Sequence, residues 1–324
     1  MMARIAMIDR TGGPEVIGWH DVTLPEPAAG EVRMRNTAVG LNFIDTYHRS
    51  GLYPVDLPAG LGSEAAGVVE AVGADVSGFA PGDRVATFGP TRGAYATERN
   101  LPARDLFKLP DAVDDRTAAA LMLKGCTTEF LVERCAKVRA GQPVLVHAGA
   151  GGVGQLLCGW LKAIGATVIA TVGTEDKIET AKAAGAAHVI LYKQVDTAKA
   201  VREIVAEGVA VTFDGVGKAT WEASLAATAR RGLVVSFGNA SGAVDGVNLG
   251  VLARSGSLFV SRPTLFDYYV TPEERGAGVA RMFEMLERGA IAANIGQTFA
   301  LEDVADAHRA LEAGATKGAT ILLP

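Results

Sequence analysis

One segment narrows the possible folds more than any other. Val144-Leu-Val-His-Ala-Gly-Ala-Gly-Gly-Val-Gly154 runs an apolar strand into a glycine-rich turn and then into a helix. Gly149, Gly151 and Gly154 fit G-x-G-x-x-G. The first glycine permits the tight turn. The second lets the backbone approach a pyrophosphate at the helix N-terminus, where free N–H groups and the helix dipole favour an anion. The third permits close helix–strand packing. Gly152 and Val153 complete the cradle. Alone the motif is weak, and its strength comes from what surrounds it. Strand patterns at 167–172, 189–192, 209–213 and 233–237 alternate with helical patterns at 152–164, 175–184, 197–206 and 218–229. Residues 257–260 offer a sixth strand. Such alternation, with continuous Val/Ile/Leu strands and short loops, predicts a doubly wound parallel sheet covered on both faces.

The first 110 residues read differently. Short strands at 4–8, 31–36, 67–72 and 84–88 are separated by Gly-Gly-Pro, Pro-Glu-Pro-Ala-Ala-Gly and Pro-Gly-Asp turns. Few helical patterns interrupt them, so a mainly antiparallel, partly closed barrel is expected. A helical pattern at 117–138 joins the two halves, and 273–288 and 302–313 read as further helices. A length of 324 residues fits two domains.

Composition excludes several classes. Residues 1–122 hold 11 Lys+Arg against 16 Asp+Glu, and the whole chain carries a net charge of −5. That is not the bulk basic charge of a dedicated nucleic-acid binder. Cys126, Cys135 and Cys158 are too few for a disulfide scaffold or a four-cysteine metal site. The first residues lack a secretory apolar core, and no run reaches the roughly 18–20 apolar residues of a membrane helix. A soluble, cytoplasmic protein is expected.

The end of the second parallel strand discriminates between cofactors. An NAD enzyme usually places an acid there, about 20 residues beyond the glycines, for the ribose hydroxyls. This chain reads Thr171-Val-Gly173-Thr174 and then Lys177. A small residue followed by a lysine suits a 2′-phosphate and favours NADPH. Glu175 and Asp176 bring negative charge to the same turn, although acids are also favoured in any first helical turn. Among the histidines, none pairs at helical spacing with another or lies near a cysteine. His147 and His188 fall on strands and are expected as core or edge residues, and His20, His48 and His308 as surface residues. No Gly-x-Ser-x-Gly elbow or P-loop lysine motif is present.

A family resemblance now has residues to rest on. Gly12-Gly-Pro-Glu-Val16, Asn42-Phe-Ile-Asp45, Gly51-Leu-Tyr53, Gly60-Leu-Gly-Ser-Glu-Ala-Ala-Gly67 and Gly82-Asp-Arg-Val85 stand in order. Lys124-Gly-Cys-Thr127, the glycine loop, Ser236-Phe-Gly-Asn239, Arg262-Pro263 and Gly318-Ala-Thr-Ile-Leu-Leu-Pro324 follow. The chain resembles the zinc-free quinone oxidoreductases, the zeta-crystallin-like branch of the medium-chain dehydrogenase/reductase superfamily. It departs at Gly159, where the family usually has Gln, and at Cys126, where an apolar residue is usual. The resemblance implies an α/β protein: a GroES-like, mainly antiparallel catalytic domain (1–122), a Rossmann coenzyme domain (123–263) and a C-terminal return (264–324). It implies that zinc-dependent relatives place a Cys ligand near Asn42 and a His ligand where Ser63 stands, both missing here.

By the same resemblance Asn42, Tyr47, Tyr53 and Thr127 line the nicotinamide end of an interdomain cleft, with Asp45 holding the loop. Lys177, Tyr192 and Lys317 would contact the adenosine phosphate. Phe237, Gly238, Asn239 and Ser241 follow the fifth parallel strand, where ligands of open sheets sit. The implied activity is NADPH-dependent reduction of a quinone by a homodimer, with residues 255–263 as a pairing edge. Enoyl or 2-alkenal reduction on the same site is the alternative, and an NADPH-binding protein of RNA-binding or crystallin type is a third.

Overall fold

The computed structural model describes residues 2–324. Along the chain the elements are β1 (Met2–Ile8), β2 (Gly18–Thr23), β3 (Glu31–Leu41), α1 (Phe43–Ser50), β4 (Ala59–Gly60), β5 (Glu64–Val72), β6 (Arg84–Phe88), β7 (Glu98–Pro102), β8 (Leu106–Lys108) and α2 (Asp115–Glu129). Then come β9 (Pro143–Val146), α3 (Gly152–Ala163), β10 (Thr167–Val172), α4 (Ile178–Ala184), β11 (His188–Leu191), α5 (Thr197–Ile204), β12 (Val209–Asp214), α6 (Trp221–Ala227), β13 (Thr228–Ser236), α7 (Gly250–Arg254) and β14 (Phe259–Ser261). Finally α8 (Pro272–Glu287), β15 (Ile295–Ala300), α9 (Val304–Glu312) and β16 (Ala319–Leu323) close the chain.

Two compact units result, one of residues 1–123 and 293–324 and the other of residues 124–292. The first holds a seven-stranded sheet ordered β15-β16-β3-β5-β6-β8, with β7 also paired to β3, and a three-stranded sheet β2-β1-β4. All pairs are antiparallel except β15 with β16. Ile8, Val32, Met34, Leu41, Leu61 and Leu101 form its core, joined by Val304 and Ala307 of α9. The second unit is a six-stranded parallel sheet ordered β11-β10-β9-β12-β13-β14. Strand order reverses between β9 and β12, the place where open α/β sheets bind ligands at their carboxyl ends.

Several expectations need correction. The chain was expected to return at residue 264, but α8 stays with the second unit and the return begins at 293. Arg134 donates to the carbonyls of Tyr268 and Glu274, and Arg281 pairs with Glu133 at 2.8 Å, so α8 is anchored there. The helix expected over 117–138 is α for 115–129 and then a π-helical turn over Phe130–Cys135. The helix expected to 229 ends at Ala227, because the β13 ladder to Val209 already begins at Thr228. The residue at position 159 has a packing reason. A Cβ on Gly159 would sit 2.5 Å from the Ala290 carbonyl oxygen, so a glutamine cannot be accommodated with α3 this close to that backbone. His308 was expected at the surface and is wholly buried, and His48 is partly buried.

Candidate functional site

In the second unit the glycine loop follows β9 directly. Ala148 takes a positive φ of 55°, and the Gly149 and Gly151 amides donate to Thr171 and Ala148 carbonyls at 2.9 Å each. Gln155 Nε2 ties the loop back through the Ala150 carbonyl at 2.8 Å. The three glycines are not equivalent. A Cβ on Gly149 would press on the Ala170 methyl at 2.6 Å, and one on Gly154 would run into the Ala148 carbonyl. A Cβ on Gly151 would meet only the Ala148 oxygen, at 3.3 Å. Gly149 and Gly154 therefore serve packing, while the backbone from Gly151 to Val153 stays partly exposed at the start of α3. First-turn amides of a helix have no intrahelical acceptor, so this face fits a pyrophosphate.

Beneath the loop lies a buried polar chain. His147 is within 3.0 Å of Thr171 Oγ1 and 3.1 Å of Ser224 Oγ, and Ser224 donates to Asp214 at 2.6 Å. Because Ser224 gives its proton to the carboxylate, His147 Nε2–H donates to Ser224, and Nδ1 accepts from Thr171. Burial lowers the His147 imidazole below its ordinary value despite the nearby Asp214 charge, in keeping with that neutral tautomer. Asp214 also accepts from the Val216 and Gly217 amides at 2.9 Å and from Thr220. The network ties β9, β10, β12 and α6 together behind the loop.

At the end of β10 the structure gathers Gly173, Tyr192 and a residue the sequence reading missed. A Cβ on Gly173 would contact the Tyr192 ring at 3.4 Å and Lys193 Cε at 3.6 Å. Thr174 and Lys193 are exposed and Lys177 partly so. The turn thus carries two lysines, a tyrosine and a threonine, together with the exposed acids Glu175 and Asp176, and no acid stands on β10 itself. Lys193 was legible only as the neighbour of Tyr192. Phe237 and Gly238 wrap closely over Gly215, whose Cβ would meet Phe237 at 2.8 Å. Ser241 spends its hydroxyl on the Val216 carbonyl and the Ala219 amide, at 2.8 and 2.9 Å. Asn239, turned so that its oxygen accepts from Arg262 Nη2 at 3.0 Å, braces the same loop. Thr127 is a partly exposed position in an otherwise buried stretch of α2.

In the first unit Asn42 opens α1. Its Nδ2 donates to Glu64 Oε2 at 2.8 Å, and Glu64 Oε1 accepts the Leu123 amide at 2.7 Å. Asn42 is thereby fixed with a second N–H on the same nitrogen for an acceptor oxygen. Asp45, expected to hold the loop, takes the Asn42 amide at 2.9 Å, Ser63 Oγ at 2.8 Å and Tyr95 Oη at 2.9 Å. The donor directions behind it are unique. Arg49 can only donate, so His308 Nδ1 accepts from it at 3.1 Å. His308 Nε2–H then donates to Tyr95 at 3.0 Å, and Tyr95 donates onward to Asp45. Burial, then the Arg49 charge, lowers the His308 imidazole to about 3. Burial and the Asp45 charge hold the Tyr95 phenol well above its usual value. Arg49 itself is held by Glu312 at 2.6 Å and by the Gly12 carbonyl at 3.1 Å. Tyr47 and Tyr53 meet edge to face, with ring centroids 5.1 Å apart.

The structure therefore brings Asn42, Asp45, Ser63 and Glu64 together, and Tyr47 with Tyr53, in one unit. It brings the glycine loop, Gly173, Thr174, Lys177 and Tyr192 to one end of the sheet in the other. Lys317 lies in the first unit, where its carbonyl accepts from Gln297 Nε2 at 2.8 Å.

Residues 28–111 match the alcohol dehydrogenase GroES-like domain, and residues 152–282 match the zinc-binding dehydrogenase family. A quinone oxidoreductase of Pseudomonas aeruginosa is 49% identical over 325 residues, covering all of both chains. The chain belongs to the quinone oxidoreductase family. A crystal structure of the Escherichia coli quinone oxidoreductase complexed with NADPH superposes with a TM-score of 0.97 at 44% identity, covering 99% of this chain and 100% of that one. A 2-haloacrylate reductase of Burkholderia is 42% identical, covering 100% of this chain and 99% of that one. Within this family the zinc of some dehydrogenases has no fitting donor set here. A catalytic zinc takes three protein ligands, and among the described residues no three His, Cys, Asp or Glu side chains are grouped to hold a metal. Ser63 gives its hydroxyl to Asp45 instead.

Proposed function

We propose that this protein is an NADPH-dependent, zinc-independent quinone reductase. The observation that carries the reading is the end of β10, where the strand itself ends without an acid, Tyr192 and Lys193 lie against Gly173, and Lys177 follows in the next turn after Thr174 and the exposed acids Glu175 and Asp176. The first-turn amides of α3 would hold the pyrophosphate, and the two lysines the 2′-phosphate. Phe237 and Gly238 belong to the loop beyond β13. Thr127 and Lys317 are assigned by resemblance to the nicotinamide and the adenosine phosphate. NADPH supplies a hydride when bound, and quinone plus hydride plus one proton gives the hydroquinone. The hydroquinone anion is stabilised by its aromatic ring, so positioning matters more than a Lewis acid. Asn42, fixed by Glu64, donates to the acceptor oxygen, and Tyr47 and Tyr53 flank the ring.

A second reading is reduction of an activated C=C, favoured by the likeness to the 2-haloacrylate reductase. Cofactor oxidation followed at the reduced-nicotinamide absorbance decides, with NADPH and NADH each paired with a small quinone or a 2-alkenal. Quinone-dependent loss of NADPH supports the first reading, and alkenal turnover without quinone turnover replaces it by the second. Loss with NADH alone overturns the phosphate assignment. A homodimer paired along residues 255–263 is part of the same proposal, supported by the exposure of Phe259, at 64%, beside Val260 on the edge strand β14. Phe259→Glu should convert a dimer to a monomer in sedimentation. Cys126, Cys135 and Cys158 form no disulfide, which agrees with a reducing, cytoplasmic setting. Among the described residues no helix is long and apolar enough to cross a membrane.

A further inference from the structure

In the first unit Arg99, Arg92 and His48 carry unmet hydrogen bonds, and His48 stands against the tyrosine pair. Arg99, on β7, is 5% exposed, and its Nη1 donates to the Arg92 carbonyl at 3.1 Å. Its Nε and Nη2 have no partner. Those two N–H groups form the side-on fork of a guanidinium, the edge that matches the two oxygens of a carboxylate. Arg92 Nε and His48 Nδ1 are likewise buried and without a partner. The His48 ring stands edge to face on Tyr53, with centroids 6.0 Å apart. Tyr53 in turn stands on Tyr47. Asp105 acts on Arg99 through its charge and accepts from Thr91 Oγ1 at 2.7 Å, while Nε and Nη2 of Arg99 still have no hydrogen-bond partner.

A guanidinium stays charged at any physiological pH. Leaving a buried charge with open donors is destabilising unless an acceptor completes it. We propose that Arg99, Arg92 and His48 form an oxyanion-binding site, the Arg99 fork taking two oxygens and Arg92 Nε adding a third contact. The occupant is a small oxyanion, either free or carried as an acidic substituent by the acceptor that Tyr47 and Tyr53 flank. The second source rests on the reductase reading, whereas the site itself does not. Burial lowers Arg99 to about 10, and burial with the Arg92 charge lowers His48 to about 4. Burial is the larger cause of both shifts; the Asp105 charge acts against it at Arg99, and the Arg92 charge adds to it at His48, which is left neutral.

The test has two arms on the full-length protein. Acetate and phosphate are titrated against chloride at fixed ionic strength while thermal unfolding is followed. Separately, the KM values of a naphthoquinone and its ring-carboxylated derivative are compared with NADPH. A free oxyanion gives a saturable rise in Tm of several degrees, abolished in Arg99→Met. An acidic substituent gives a KM about 10-fold or more below that of the neutral parent, lost in Arg99→Met and weakened in Arg92→Gln. Where Arg99→Met does not fold, Arg99→Lys keeps the charge and removes the fork, and should lose the same preference. Neither effect in the wild type means that water fills the fork, and the site is overturned. Anion stabilisation without quinone turnover leaves the site standing and the reductase reading fallen. Quinone turnover without any anion effect does the reverse.

Discussion

His308 offers a prediction whose size follows from its surroundings. The ring is wholly buried, donates to Tyr95 and accepts from Arg49, and burial with the Arg49 charge lowers it from an ordinary 6.5 to about 3. In the unfolded chain the same ring takes up a proton near its ordinary value. Between about pH 3 and 6.5 the unfolded state therefore binds more protons, and stability falls as pH falls through that window. Integrating the linkage gives about 2 kcal/mol lost between pH 7.5 and pH 5, on the order of 4–8 °C in Tm for a unit of this size. His48, also lowered, shifts stability in the same direction, so the measurement must be a difference. Thermal unfolding of wild type and His308→Asn is followed at both pH values. The variant should be less stable at pH 7.5 by about 1–3 kcal/mol for the broken chain, yet lose about 2 kcal/mol less on going to pH 5. Equal losses in the two proteins would show that His308 titrates as if exposed, and the directed chain to Asp45 would be wrong.

Three further outcomes are expected. Lys177→Ala and Lys193→Ala should each raise the KM for NADPH about 5- to 30-fold, from about 1–2 kcal/mol of screened attraction to a phosphate. The KM for NADH should not move, and a parallel rise with both cofactors would refute the 2′-phosphate assignment. Gly154→Val should abolish NADPH binding in a fluorescence titration while the protein remains folded by circular dichroism, since its Cβ would run into the Ala148 carbonyl. A thiol reagent should modify Cys135 first in the native protein. Cys126 and Cys158 are buried, and burial pushes the Cys158 thiol up to about 12, so both should react only on unfolding.

What the sequence disclosed depended on whether a feature was local. The glycine loop and the β10 turn were legible because each is a contiguous run whose spacing has a physical reason. Strand β10 carries its full apolar pattern within Thr167–Val172 and was read to the residue. Strands β2, β4, β7, β8, β15 and β16 were missed; Gly18–Thr23 alternates weakly, Ala59–Gly60 is two residues long and Leu106–Lys108 is three. The return point at 293 was not legible either, because it is set by the hold of Arg134 and Glu133 on α8, separated by about 140 residues of chain.

The same limit explains the first-unit site. Asn42 and Asp45 fall within one helical turn and could be named from a motif, but their partners could not. Glu64, Tyr95, Arg49, His308 and Glu312 come from four separate stretches and meet only when β3, β5 and α9 pack on one core. His308 was expected at the surface, yet it stands four residues after Val304 and three before Leu311, on the apolar stripe of α9. In the fold that position turns inward, and burying a neutral imidazole there is tolerable because each ring nitrogen has a partner of the right sense. Arg99 is the opposite case, a buried cation whose fork has none. Fully satisfied and conspicuously unsatisfied groups lie a few residues apart on the same loop and strand. That contrast argues that the unit tolerates buried charge by pairing it, and that the unpaired fork is a place for a ligand.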